Sequence, residues 1–116
     1  MTRPTPKNTR KHRRMTVRML VDYQAMGGIH CDYATTLGAG GMFLQTELPL
    51  RRGDLVKVRF RVPGSELLHD LQARVTWHNE ARSEPSGEVR TPGVGLQFVD
   101  QNATAELARE LEDYPG

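Results

Sequence analysis

Two arginines four residues apart, Arg10 and Arg14, stand in the run R-K-H-R-R just ahead of the first strand-like segment, with Arg13 between them. Arginine presents a planar fork of N–H donors that grips phosphate oxygens bidentately and also fits the O6 and N7 edge of guanine, which lysine cannot imitate. A pair of such forks on a flexible arm suits a doubly charged phosphate ligand and can close over a guanine nucleotide. In an extended strand the two would stand about 13 Å apart at a rise of roughly 3.3 Å per residue. The arm must therefore turn or coil to bring them together.

Charge is concentrated in that arm. Residues 1 to 18 hold Arg3, Lys7, Arg10, Lys11, Arg13, Arg14 and Arg18 and no acid, while the remainder holds nine of the 16 basic residues and all 14 acids. A net charge of +2 thus hides a cationic arm on an acidic body, which points to an anionic partner. A generic nucleic-acid arm would show the same excess of charge. Most of the few aromatics, Tyr23, Phe60, Trp77 and Phe98, fall at strand positions expected to face inward, so aromatic interleaving for nucleic acid is missing and that partner is not expected.

Catalytic chemistry finds little support, and no enzyme is expected. His30, Cys31 and Asp32 are adjacent, but on a strand His30 and Asp32 share one face and Cys31 takes the other, so the three cannot converge as nucleophile, base and orienter. The histidines at 12, 30, 69 and 78 lack metal-ligand spacing, a single cysteine excludes a cysteine-rich zinc site, and no cofactor or metal is expected. Gly38-Ala39-Gly40-Gly41 is more suggestive. It reads as a β-turn or bulge, or as a backbone surface on which a flat or phosphorylated ligand can lie close.

The elements that must carry these groups are strands. Residues 1–13 form a flexible basic arm with almost nothing to bury. Val17, Met19, Val21 and Tyr23 alternate against Arg18, Leu20 and Asp22, the period of a half-buried strand. Residues 29–37 and 42–46 are strand-like on either side of the glycine cluster. Val56, Val58, Phe60 and Val62 are expected inward against Lys57, Arg59 and Arg61, and Pro63-Gly64 ends that strand. Leu71, Ala73, Val75 and Trp77 repeat the scheme, as do Val94, Leu96 and Phe98, with a polar hairpin loop over 79–91. Asp100 or Asn102 caps a helix whose Leu107, Ala108, Leu111 and Tyr114 share a face. This mainly β succession predicts six antiparallel strands in a barrel or sandwich, with one helix packed on it.

At 116 residues the chain is long enough for one core, so residues 14–116 are expected to form a single domain behind the arm. No apolar run is long enough to span a membrane, so no membrane insertion is expected. The basic opening lacks the apolar stretch of a secretory signal, and the lone Cys31 suits a reducing cytoplasm.

The order R-K-H-R-R, M-T-V-R-M-L-V-D-Y, T-L-G-A-G-G-M-F-L-Q-T with P-L-x-x-G-D after it, A-R-V-T-W and P-G-V-G-L-Q-F resembles the PilZ domain from about residue 10 to 112. The resemblance implies a six-stranded antiparallel β-barrel with a C-terminal α-helix, acting as a cytoplasmic bacterial receptor for cyclic di-GMP. Arg10 and Arg14 match the family's arginine pair before the first strand. A second family motif, Asp or Asn, then Ser two residues on, then Gly three further, falls on Thr36, Gly38 and Gly41. Only the glycine is retained. The implied mechanism is ordering of the arm on the ligand and signalling through a protein partner, with motility or envelope machinery as the setting. The alternative is a relative that has lost the ligand and serves as an interaction module.

Overall fold

Alternation of apolar and polar residues dictates most of this architecture. A computed structural model of the chain describes residues 14–79, 82–83, 89–90 and 92–112. β1 (Arg14–Ala25) buries Met15, Met19, Val21, Tyr23 and Ala25 and turns Arg14, Thr16, Arg18, Leu20 and Asp22 outward. Met26 and Gly27 both take positive φ, 54° and 78°, the pair of left-handed residues that a tight two-residue hairpin needs. β2 (Gly28–Gly38) returns along β1, and β3 (Gly41–Leu44) follows. β4 (Leu55–Arg61), β5 (Leu68–Asn79) and β8 (Gly93–Phe98) complete the barrel, whose closed order is β1-β2-β3-β8-β5-β4. β6 (Arg82–Ser83) and β7 (Val89–Arg90) pair as a separate two-stranded ribbon inside the stretch expected to be a loop.

The barrel interior is filled from every strand. Val21, Leu37, Leu44, Val58 and Ala73 have no measurable exposure, and Phe60 and Phe98 stack with centroids 6.2 Å apart. Each fully buried Val, Leu or Phe contributes about 1.5–3 kcal/mol. α1 (Gln101–Glu112) starts where expected: Asp100 Oδ1 accepts from the Ala103 N–H at 3.2 Å and caps the helix, while Asn102 lies within it. Leu107 and Leu111 bury its inner face, with Ala103 and Ala108 packed beside the core. His69 on β5, only 2% exposed, meets Glu110 of α1 with Nε2 2.5 Å from Oε1. That contact fixes how the helix seats on the barrel. Tyr114 lies outside the described residues.

One inward assignment needs correction. Val17 is partly buried and packs against the core as its place in the alternation requires, but Trp77 is 43% exposed, outside the barrel. The cause at Trp77 is a bulge. Val75 pairs with Leu96 but Trp77 pairs with Gly95, so β5 spends one more residue than β8, and the phase of burial reverses after Val75. A second bulge falls in β2, where Ala34 pairs with Leu44 and Thr36 with Phe43, leaving Thr35 as the extra residue.

Candidate ligand site

Because directly paired residues of neighbouring strands share a face, the register maps the outer wall of the barrel. Thr36, beyond the Thr35 bulge, points out while Leu37 points in. Gly38, Gly41 and Thr36 therefore share one external surface. Arg14 pairs with Gly38, Gly38 with Gly41, Gly41 with Gln97, and Gln97 with Arg74. In the adjacent row Thr16 pairs with Thr36, Thr36 with Phe43, Phe43 with Gly95, and Gly95 with Trp77. The first row crosses two buried glycines and Gln97, with an arginine at each end. The second adds hydroxyls and an aromatic step.

Packing explains the glycines as much as any ligand does. A Cβ on Gly41 would run into the Leu96 carbonyl of β8, so this position is glycine for the sake of strand pairing alone. A Cβ on Gly95 would enter the Trp77 indole, which lies directly over that backbone. Trp77 also stacks on Phe43, with centroids 5.3 Å apart and rings inclined by 27°. The Thr76 hydroxyl donates to the Gly95 carbonyl at 3.2 Å and holds the bulge that presents the indole. Thr36 Oγ1 is buried and has no hydrogen-bond partner among the described residues. A buried hydroxyl without a partner on this wall leaves a hydrogen bond for a ligand to supply.

Arg14 is exposed and begins β1, whereas Arg10 and Arg13 lie outside the described residues. The fold thus brings together Arg14, Thr36, Gly38 and Gly41 on one wall. The sequence from 8 to 114 matches the PilZ domain family. The chain belongs to the PilZ domain family. No curated protein matches the sequence. Among solved structures it is similar to the PilZ domain of Escherichia coli YcgR with cyclic di-GMP, at 16% identity, a TM-score of 0.65 and 87% of each chain covered. It is also similar to the Bacillus subtilis inhibitor of motility MotI/DgrA, at 18% identity and a TM-score of 0.63 over 90% of this chain. This PilZ chain spans about half, 52%, of that Bacillus protein. The PilZ domain of CeSA from a cellulose-synthesizing bacterium gives 18% identity and a TM-score of 0.57, covering 86% of this chain and 98% of that one. PilZ domains are binding and adaptor modules.

Trp77 and Phe43 were not among the residues expected at a site. Regular alternation places Trp77 inside, and only the bulge at Thr76 reverses it. Phe43 becomes its neighbour because β8 lies between β3 and β5, an order that the chain sequence does not display. The adjacency His30-Cys31-Asp32 behaves as strand geometry requires. His30 Nε2 lies 3.1 Å from the Ala25 carbonyl, Asp32 accepts from the Tyr23 hydroxyl at 2.5 Å, and Cys31 is exposed on the opposite face.

Proposed function

We propose that this PilZ chain is a cytoplasmic cyclic di-GMP receptor that signals through a protein partner. Arg10 and Arg14 grip the ligand's phosphates, with Arg13 beside them, and close it against the surface of Thr36, Gly38 and Gly41. Trp77 offers a guanine the stacking face next to that surface. The observation that carries this reading is the pairing of Arg14 with Gly38, because it starts the basic arm from the very wall that holds the second motif. Gly38 and Gly41 put no side chain between the sheet and a flat ligand, and the Thr36 hydroxyl, which has no hydrogen-bond partner among the described residues, gives it a polar contact.

Chemistry sets the strength. Ordering a segment on binding costs roughly 2–5 kcal/mol. Thr36 offers a single hydroxyl where the family's Asp or Asn offers a fork, and Gly38 offers no side chain. Affinity is therefore moderate and falls with salt. Titration calorimetry with cyclic di-GMP, repeated with Arg14→Ala, tests the reading: heat for the native chain and its loss in the variant support it. Absence of heat at high protein concentration sinks it.

The bare Gly38 favours one rival, a PilZ module that engages a protein without the ligand. Under that reading Arg10→Ala and Arg14→Ala leave partner association intact, while a change on the barrel surface abolishes it.

A further inference from the structure

The edge of β2 next to the hairpin is the most distinctive part of the molecule away from the ligand wall. The two-residue turn at Met26-Gly27 closes on Ala25 and Gly28, so the hydrogen-bonded pairs of the β1–β2 ladder are 25 with 28, 23 with 30 and 21 with 32. The alternate residues Ile29, Cys31 and Tyr33 aim their backbone N–H and C=O groups at the other edge. Tyr33 confirms the phase, because its carbonyl accepts from the Gln45 N–H at 2.8 Å on that side. β3 pairs with β2 only over Ala34–Gly38, and among the described residues no strand pairs with Ile29 or Cys31 on this edge.

The chain leaves the ladder after Gln45. Thr46 turns it away by accepting from the Leu48 N–H at 3.1 Å and is itself tied to the Tyr23 hydroxyl at 2.8 Å. A cleft of about 600 Å³ opens beside the edge, lined by Tyr23, His30, Asp32, Thr46, Glu47 and Leu48 among others, and among the described residues no lysine or arginine lines it. Along the edge, side chains alternate: Ile29, 74% exposed, and Cys31 face outward, while His30 and Asp32 face the cleft.

We propose that this edge receives an extended basic segment of a partner protein as an added β-strand. Its backbone pairs with Ile29 and Cys31. Alternate basic side chains enter the cleft toward Asp32 and Glu47, and apolar ones cover Ile29 on the outer face. Two copies meeting edge to edge would set the carboxylates of one cleft against those of the other, which argues for a cationic partner rather than a second copy. The chain's own basic arm leaves the sheet at Arg14, opposite Gly38, at the far end of the hairpin. This goes beyond ligand binding and uses none of the residues assigned to it.

The test is fluorescence anisotropy with a labelled peptide, K-V-K-V-K-V-K, titrated with the full chain. The controls are E-V-E-V-E-V-E and a lysine peptide N-methylated at alternate residues, which keeps charge but cannot pair as a strand. Saturable binding of the lysine peptide is expected, with a loss of about 1.5- to fivefold in Glu47→Gln and in Asp32→Asn, and no saturable binding of either control. Glu47 is exposed, so Glu47→Gln reports on charge without endangering the fold. Absence of saturable binding overturns the proposal, and so does equal binding of the N-methylated peptide. Sedimentation velocity showing a dimer that Ile29→Lys abolishes would also overturn it, by assigning the edge to a second copy.

Discussion

The indole of Trp77 lies over the bare backbone of Gly95, in the space that a Cβ there would need. Placing a methyl group at Gly95 must lift the ring off β8 and away from Phe43. Gly95→Ala is expected to lower stability by about 1–3 kcal/mol in urea unfolding and to shift tryptophan fluorescence, since Trp77 is the only tryptophan. An unchanged emission spectrum would contradict the contact.

Trp77 itself is the cleaner probe of ligand stacking. Its ring is partly exposed, and base stacking on an aromatic is worth about 1–3 kcal/mol by alanine substitution. Trp77→Ala should weaken cyclic di-GMP binding by about five- to 150-fold in calorimetry, with a smaller effect on the unfolding midpoint. An unaltered dissociation constant removes Trp77 from the site.

Arg14→Lys separates charge from geometry. Lysine keeps the positive charge but loses the planar fork, so it should recover little of the affinity that Arg14→Ala loses, about tenfold or more for a charged hydrogen-bonded contact. Full rescue by lysine would mean a diffuse electrostatic attraction. Repeating both titrations at higher salt should weaken the native chain most.

Gly38 can be returned to the family's pattern. Gly38→Ser supplies a hydroxyl on the same face as Thr36, and a neutral hydrogen bond contributes about 0.5–1.5 kcal/mol. Binding should tighten about two- to tenfold in the same calorimetric titration. Weaker binding would show that the ligand needs bare backbone there.

The pair of His69 and Glu110 predicts a pH dependence. Burial pushes the Glu110 carboxyl up, but hydrogen bonds from His69 and Ser65 and the His69 charge outweigh it, so the carboxyl sits below its ordinary value. A carboxyl held down in the folded state contributes in full above its unfolded value, about 4.3, and that contribution is lost as pH falls through the lower folded value. Urea titrations of native and Glu110→Gln chains should differ near neutrality and converge in acid. Glu110→Ala should cost about 1.5–3 kcal/mol near neutrality, and an effect independent of pH would assign the contact to packing.

Regular parts of the molecule were legible in the sequence because burial there repeats every second residue. Val56, Val58, Phe60 and Val62 fall inside as their alternation requires, and Asp100 caps the helix it precedes. Departures came where a strand carries one residue too many. The count of apolar residues does not mark Thr35 or Thr76, and Trp77 changes face as a result. The convergence of Thr36, Gly38 and Gly41 with Arg14 depends on register between β1, β2 and β3, and the meeting of Phe43 with Trp77 depends on β8 intervening between them. The ribbon of β6 and β7 lies in a polar stretch with no apolar face to announce it.

Thr35 gives the ligand wall an unusual kind of tolerance. A strand is read in steps of two, and the bulge is an insertion already absorbed into that reading frame. Deleting Thr35 would leave Ala34 inward, Thr36 outward and Leu37 inward in plain alternation, so the wall would keep its face and lose only the bend. Deleting a residue from a regular stretch of β2 would instead exchange the faces of everything beyond it. The site's address on the barrel is thus set by counting, and Thr35 is the one residue of β2 that the count against β3 can lose.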